Sequence, residues 1–294
     1  MIEKIEIKNY YCDPIAFIPP QVTSVESWTE DEKKFLLEYA IALNSKAGIK
    51  ELFLVNDFAI DLIEFSERYN MKIFSIISAE NLLAIPSSLL VGNNLIVEIK
   101  NIEEIAESFL SQIVDLSAKL NLPLLLHFGR DLKSLGKIEQ RYHKPPERFI
   151  EDFGFLDREC YLLGCNYLDK DAISLLSNYN VKFIFTPLSD AEQGRGFLNF
   201  KLYENLYCFL GSENMQNIDI IKEANFLRLE NNNLLCSNSL IQFSNFAKLI
   251  DNSCNLSESE AKELLASEIA KKVENFEDLS TKFSKLLAQK GQKN

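Results

Sequence analysis

Few side chains in this sequence are equipped for chemistry. His127 and His143 are the only histidines among 294 residues, so a His-x-His metal pair is impossible anywhere in it. His127 ends an apolar run, LPLLLHF, and two readings of it stay open. It is either a ligand-binding imidazole at a strand end or a core histidine with one nitrogen satisfied. Arg130 follows shortly after. Its guanidinium could grip a carboxylate or phosphate bidentately, but a structural ion pair with Glu213 or Asp131 is the reading we favour. Glu213 closes another apolar segment, where a carboxylate is costly unless paired, and this makes it the better functional candidate. His143 stands in a polar turn before Pro145-Pro146 and is expected to be solvated.

Other catalytic patterns are missing. There is no Gly-x-Ser-x-Gly elbow. The segment DAEQGRG, residues 190–196, has two glycines but not the Gly-Lys-Ser/Thr ending of a phosphate loop. It reads as a mobile loop. The six cysteines, Cys12, Cys160, Cys165, Cys208, Cys236 and Cys254, form no CxxC pair, and most lie in apolar segments. Buried thiols in a reducing cytoplasm are the expectation. A formal charge of −12, with no basic patch except a short Lys-rich C-terminus, argues against a nucleic-acid partner. No apolar run reaches the ~20 residues of a membrane helix. The start, MIEKIEIKN, alternates charged and β-branched residues, unlike a secretory signal.

The elements that would position these groups alternate along the chain. Strand-like runs fall at 51–55, 72–77, 95–99, 123–128, 160–164, 182–185 and 206–210, with amphipathic stretches between them. In residues 102–120, Ile105, Phe109, Ile113, Leu116 and Leu120 recur at helical spacing. LPLLLHF is apolar on consecutive positions, as a strand buried on both faces of a parallel sheet should be. An eighth strand could come from residues 4–8 or 15–18. This order predicts an α/β fold, a (β/α)8 TIM-type barrel, with an open doubly wound sheet as runner-up. Residues 257–289 open with Ser257 and Glu260 in capping-box spacing and continue as one or two helices. The division expected is a barrel over 1–255 and a helical extension over 256–294 packed on it.

From Ile113 to about Glu223 the chain resembles the amidohydrolase superfamily, in its deaminase and chlorohydrolase branch. The strand ending His127-Phe128-Gly129-Arg130 is similar to that branch's fifth strand, which ends His-x-Ala-Glu. RYHKPPERFIEDFGFL resembles the helix that follows. LGCNYL, residues 163–168, stands where the family has Ala-His-Cys-x-His-Leu. TPLS, 186–189, is similar to Asn-Pro-x-Ser of the seventh strand, and LGSE, 210–213, to the Leu-Gly-Thr-Asp closing the eighth. Earlier, residues 37–57 resemble the family's helix and strand reading Leu-x-x-Ser-Gly-x-Thr.

The resemblance implies a divalent metal held by a His-x-His pair, a fifth-strand His and an eighth-strand Asp. The metal would make hydroxide from water at neutral pH. A Glu would shuttle protons and a sixth-strand His would support it. Carried over residue by residue, the fifth-strand ligand is His127, the shuttle position is Arg130, the sixth-strand position is Gly164 and the eighth-strand position is Glu213. One imidazole and one carboxylate do not complete such a site. The expectation is therefore a barrel without metal or other cofactor and without the family's β-sandwich. It would act as a ligand-binding, regulatory or partner-binding pseudoenzyme. The alternative is a hydrolase or deaminase-type enzyme acting on a small N-heterocyclic or nucleoside-like substrate with non-standard residues. No catalytic residue is assigned. His127, Arg130, Asn166, Ser189 and Glu213 are the candidates for a pocket taking a small polar ligand, neutral or anionic. A homo-oligomer or a paralogous partner, no membrane and a cytoplasmic location complete the expectation.

Overall fold

The computed structural model describes residues 7–14, 25–82, 85, 94–203, 206–213, 223, 226 and 227. Eight parallel strands follow one another in chain order around a barrel. They are β1 (Ile7–Cys12), β2 (Ile49–Val55), β3 (Lys72–Ser78), β4 (Leu95–Ile99), β5 (Leu124–Phe128), β6 (Cys160–Gly164), β7 (Val181–Phe185) and β8 (Cys208–Leu210). The helices between them are α1 (Glu30–Lys46), α2 (Ile63–Tyr69), α3 (Ala79–Leu82), α4 (Glu107–Leu120), α5 (Leu132–Tyr142), α6 (Pro146–Asp152), α7 (Lys170–Leu176) and α8 (Pro187–Glu192). This is the (β/α)8 arrangement, and the strand order rules out the doubly wound sheet.

The ring is drawn together where β8 meets β1. The Ser212 N–H donates to Tyr11 O at 3.0 Å and to the Asn9 side-chain oxygen at 3.0 Å. Gly211 makes this approach possible, since a Cβ there would lie 2.8 Å from Tyr11 Cβ and 3.1 Å from its nitrogen.

Most strands fall where alternation of apolar and helical runs puts them, and β4 and β6 match residue for residue. The first strand differs: it begins inside the 4–8 candidate and runs on through Asn9, Tyr10, Tyr11 and Cys12. Two register shifts against β2 let it keep pairing past the polar Asn9. The 15–18 candidate lies outside the described residues. So do the helices expected over 257–289, the 256–294 extension to which they are assigned, Cys236 and Cys254. The helix expected over 102–120 begins only at Glu107, because Asn101–Glu104 closes a turn first.

The chain starts and stops its helices by local means. Thr29 and Glu32 cap the start of α1 reciprocally. Asn121 and His143 end α4 and α5 in the left-handed conformation. His143 is thus an exposed C-cap, in keeping with its polar turn.

Two apolar layers result. The larger lies between strands and helices and takes in Leu37, Phe65, Ile113, Phe155 and Phe183. The smaller fills the barrel interior with Tyr11, Phe53, Ile76, Ile96, Leu125, Tyr161, Leu163 and Ile184. Phe53 also packs at a tilt against Phe74 and Tyr10, with ring centroids 4.4 and 4.8 Å apart, and Tyr10 against Phe209 at 4.1 Å. Buried Phe53 and half-buried Tyr10, Phe74 and Phe209 thus occupy the lower interior, and polar side chains are left to the C-terminal ends of the strands. Among the described residues no helix is long and apolar enough to cross a membrane. Cys12, Cys160, Cys165 and Cys208 are free and buried; burial pushes the thiols of Cys12 and Cys160 up to about 12, which keeps them unreactive.

Candidate functional site

A line of polar groups crosses the C-terminal mouth of the barrel, each set there by the end of a strand. Glu98, next to last in β4, points inward by the same alternation that buries Ile96, and it is fully buried. Its Oε1 accepts from Tyr11 Oη at 2.9 Å and from His127 Nε2 at 2.7 Å. Its Oε2 lies 3.3 Å from Lys100 Nζ, which also faces Asp13 at 3.5 Å. Burial works against the charge on Glu98, yet His127, Lys100 and Tyr11 hold its pKa below the ordinary carboxylate value.

His127 passes the line onward. Arg130 Nη1 stands 3.2 Å from His127 Nδ1. A guanidinium can only donate, so Nδ1 accepts and Nε2 carries the ring proton toward Glu98. Both nitrogens are used and the ring is neutral. Burial holds its pKa below the usual imidazole value, with the Arg130 charge acting in the same direction.

Arg130 is reached through Gly129, whose φ of +65° turns the chain out of β5. The turn is pinned by Cys165 N–H to Phe128 O at 2.7 Å and Tyr167 N–H to Gly129 O at 3.1 Å. Arg130 is buried, 7% exposed, and its guanidinium forks onto Glu213: Nη1 to Oε1 at 3.2 Å and Nη2 to Oε2 at 2.7 Å. Nη2 also reaches Asp190 Oδ1 at 2.9 Å. Arg195, closer to solvent, lies 2.9 Å from Glu213 Oε2 and 3.3 Å from Asp190 Oδ1. Burial raises the pKa of Asp190 although Arg130 opposes it.

Of the residues singled out from sequence, His127, Arg130, Asn166 and Glu213 come together. Asn166 Nδ2 donates to Asp190 Oδ2 at 3.1 Å. Ser189 does not join them. It is buried in α8 and its hydroxyl has no partner among the described residues. Arg130 pairs with Glu213 as expected but not with Asp131, whose side chain accepts from Ser134 N and caps α5. The 190–196 stretch is not a loop throughout, because Pro187 starts a helix that holds Asp190 in the cluster. Sequence reasoning missed Glu98, Tyr11 and Lys100, and it read Asp190 and Arg195 only as part of a loop. A signal existed for Glu98, the lone charge in the run LIVEI, and it is the same signal that marked Glu213.

A divalent metal does not fit these side chains as they are placed. Both nitrogens of His127 and both oxygens of Glu213 are engaged, by Glu98 and by a guanidinium. Among the described residues no three His, Cys, Asp or Glu side chains gather to hold a metal ion.

No family profile matches the chain. Individual proteins do. A 5-methylthioadenosine/S-adenosylhomocysteine deaminase of Caldicellulosiruptor saccharolyticus is 24% identical over 88 residues, 30% of this chain and 20% of that protein. The first such relatives are matched over only 20 to 30% of their own length. Guanine deaminase from C. acetobutylicum, solved with guanine in its active site, superposes with a TM-score of 0.66 at 14% identity, over 89% of this chain and 73% of that one. Zinc-bound adenosine deaminase from Xanthomonas campestris gives 0.66 at 11% identity, over 84% and 67%. Fold and sequence together thus define an amidohydrolase-like barrel. The resemblance is to the deaminase branch of that superfamily.

Proposed function

We propose that this barrel takes a small N-heterocyclic or nucleoside-like molecule at its C-terminal mouth. The observation that carries the reading is the polar line Glu98–His127–Arg130–Glu213 across an otherwise apolar interior, at the end where such barrels place their sites. His127, Arg130, Asn166 and Glu213, with Asp190 and Arg195, would orient the ligand. Ser189 would lie behind them. Two guanidinium groups already face two carboxylates there, so a neutral ligand suits the mouth better than an anion.

Turnover divides the proposal into two readings. The named relatives are deaminases, and they support a hydrolase acting with non-standard residues more directly than anything supports a protein without turnover. The mouth sets what such a hydrolase would require. His127 has no free basic nitrogen while Arg130 donates to Nδ1, so a ligand must first draw that guanidinium away before the imidazole can take a proton from water. The closed set of charge pairs is the observation on the other side, and it suits binding without hydrolysis.

One experiment separates these. The chelator-treated protein is mixed with 5′-methylthioadenosine, S-adenosylhomocysteine, 5′-deoxyadenosine or guanine, and melting temperature and ammonia are followed. We expect at least one compound to raise the melting temperature of the wild type but not of Arg195→Ala. Ammonia release that is lost in His127→Ala would establish the hydrolase, and stabilisation without ammonia the binding protein. If none of the four stabilises the wild type, the proposal falls.

A further inference from the structure

We infer that the Arg130 guanidinium is the resident cation of this mouth, a protein-borne substitute for a metal ion, and that residue 164 is glycine in order to admit it. Four contacts describe the cation's surroundings. One imidazole nitrogen at 3.2 Å and three carboxylate oxygens at 3.2, 2.7 and 2.9 Å face its two terminal nitrogens. They come from the end of β5, from Glu213 three residues beyond β8 and from α8, three separated places in the chain that converge on one guanidinium. Nitrogen and carboxylate oxygen are donor types that a divalent ion also takes, but with Arg130 between them they do not gather closely enough to hold one. A guanidinium gathers them with a planar fork and needs no loading from solution.

The second observation is steric and independent of charge. Gly164 ends β6 at φ +107°, and a Cβ built there would fall 2.0 Å from Arg130 Cγ and 3.1 Å from its Cβ. The arginine side chain runs through the space that any side chain at 164 would occupy. The glycine and the arginine therefore fit one another: without the glycine the arginine side chain would have to leave the path by which it now reaches Glu213 and Asp190. The donors also stand at guanidinium radius, about 3 Å from the charged nitrogens, and would have to contract to the roughly 2.1 Å of a metal–ligand bond. The inference builds on the metal-free reading of the mouth and does not depend on which organic ligand enters it.

The test uses the full chain, stripped with chelator, as wild type and Arg130→Ala, each titrated with Co²⁺ and separately with methylguanidinium. Arg130→Ala is expected to melt about 10 °C below wild type, since it leaves buried carboxylates unpaired. It should bind one Co²⁺ per chain, seen by absorption, and regain part of its melting temperature with either cation. Wild type should do neither, and Arg130→Ala/His127→Ala should lose the Co²⁺. Gly164→Ala should lower the melting temperature strongly in wild type but much less beside Arg130→Ala, where only backbone strain remains. An Arg130→Ala protein that binds neither cation and is stabilised by neither would overturn the inference, and so would an equal cost of Gly164→Ala in both backgrounds. If Arg130→Ala is recovered unfolded, refolding with either cation becomes the readout: recovery supports the inference, and failure with both overturns it. No nucleoside enters these assays, so their outcome is separate from that of the ligand proposal.

Discussion

Glu98 shows how much one buried carboxylate can organise. It anchors three groups at once, a phenol from β1, an imidazole from β5 and an ammonium from just beyond its own strand. Burial also raises the pKa of Tyr11 well above its usual value, so the phenol stays a donor to Glu98. Replacing Glu98 by alanine takes the nearer of two carboxylates from Lys100, leaving it Asp13, and removes the acceptor for the His127 proton. We expect Glu98→Ala to lose about 3 kcal/mol or more in urea unfolding, well beyond the cost of its side-chain volume. A loss under about 1 kcal/mol would mean that the cluster is wet and weakly coupled. The residue was legible in principle, as an isolated charge in a strand of aliphatics. What the sequence could not show is its partner, since Glu98 and His127 meet only once two strands pair in register, with Glu98 opposite Leu125.

Elements are more readable than contacts, because apolar periodicity is local and strand pairing is not. The strands from β2 onward follow from runs of aliphatic residues, whereas β1, with Lys8, Asn9 and two tyrosines, carries no such run. Helix α8 was hidden for another reason. Its six residues are too few for a periodic signal, and only Pro187 at its first turn marks it. Its N-terminus is held by Glu223, whose Oε2 accepts the Leu188 N–H at 2.8 Å. Burial pushes the Glu223 carboxyl up to about 8 from 4.5 in the unfolded chain. The folded protein therefore binds an extra proton between those values, and stability from this group is full below pH 4.5 and is lost as pH rises through about 8. Glu223→Gln, neutral at every pH, should flatten that part of the profile. The difference in melting temperature, variant minus wild type, should grow from pH 5 to pH 9; a constant difference would show that Glu223 is ionised in the fold.

At the scale of the whole molecule, a barrel is only as closed as its last seam, and here the seam is made by few groups. β8 has three residues, and beyond it the Ser212 N–H is shared between Tyr11 O and Asn9 Oδ1. Asn9 also accepts from its neighbour Tyr11 N at 3.3 Å and donates to Asn44 Oδ1 at 2.9 Å, so one amide ties β1, the end of β8 and α1 together. Asn44 in turn donates to Ala40 O at 2.9 Å, which fixes it on its helix. Both the oxygen and the nitrogen of the buried Asn9 side chain are thus engaged, and truncation would take the Asn9 donor from the buried Asn44 Oδ1 and leave the Ser212 N–H to Tyr11 O instead of shared. The same seam positions both ends of the polar line, because Tyr11 lies on one side of it and Glu213 on the other. Asn9→Ala should therefore do two things. It should lower stability by about 2–3 kcal/mol, and it should speed amide exchange at Gly211 and Ser212 more than at the β5–β6 pairing around His127 and Leu163, which lies across the barrel. Exchange that rises uniformly through all eight strands would mean that the barrel opens as one unit and that Asn9 is only one more buried hydrogen bond. A rise confined to β1 and β8 would identify the closure as the first part of the fold to give way, with the mouth opening along it.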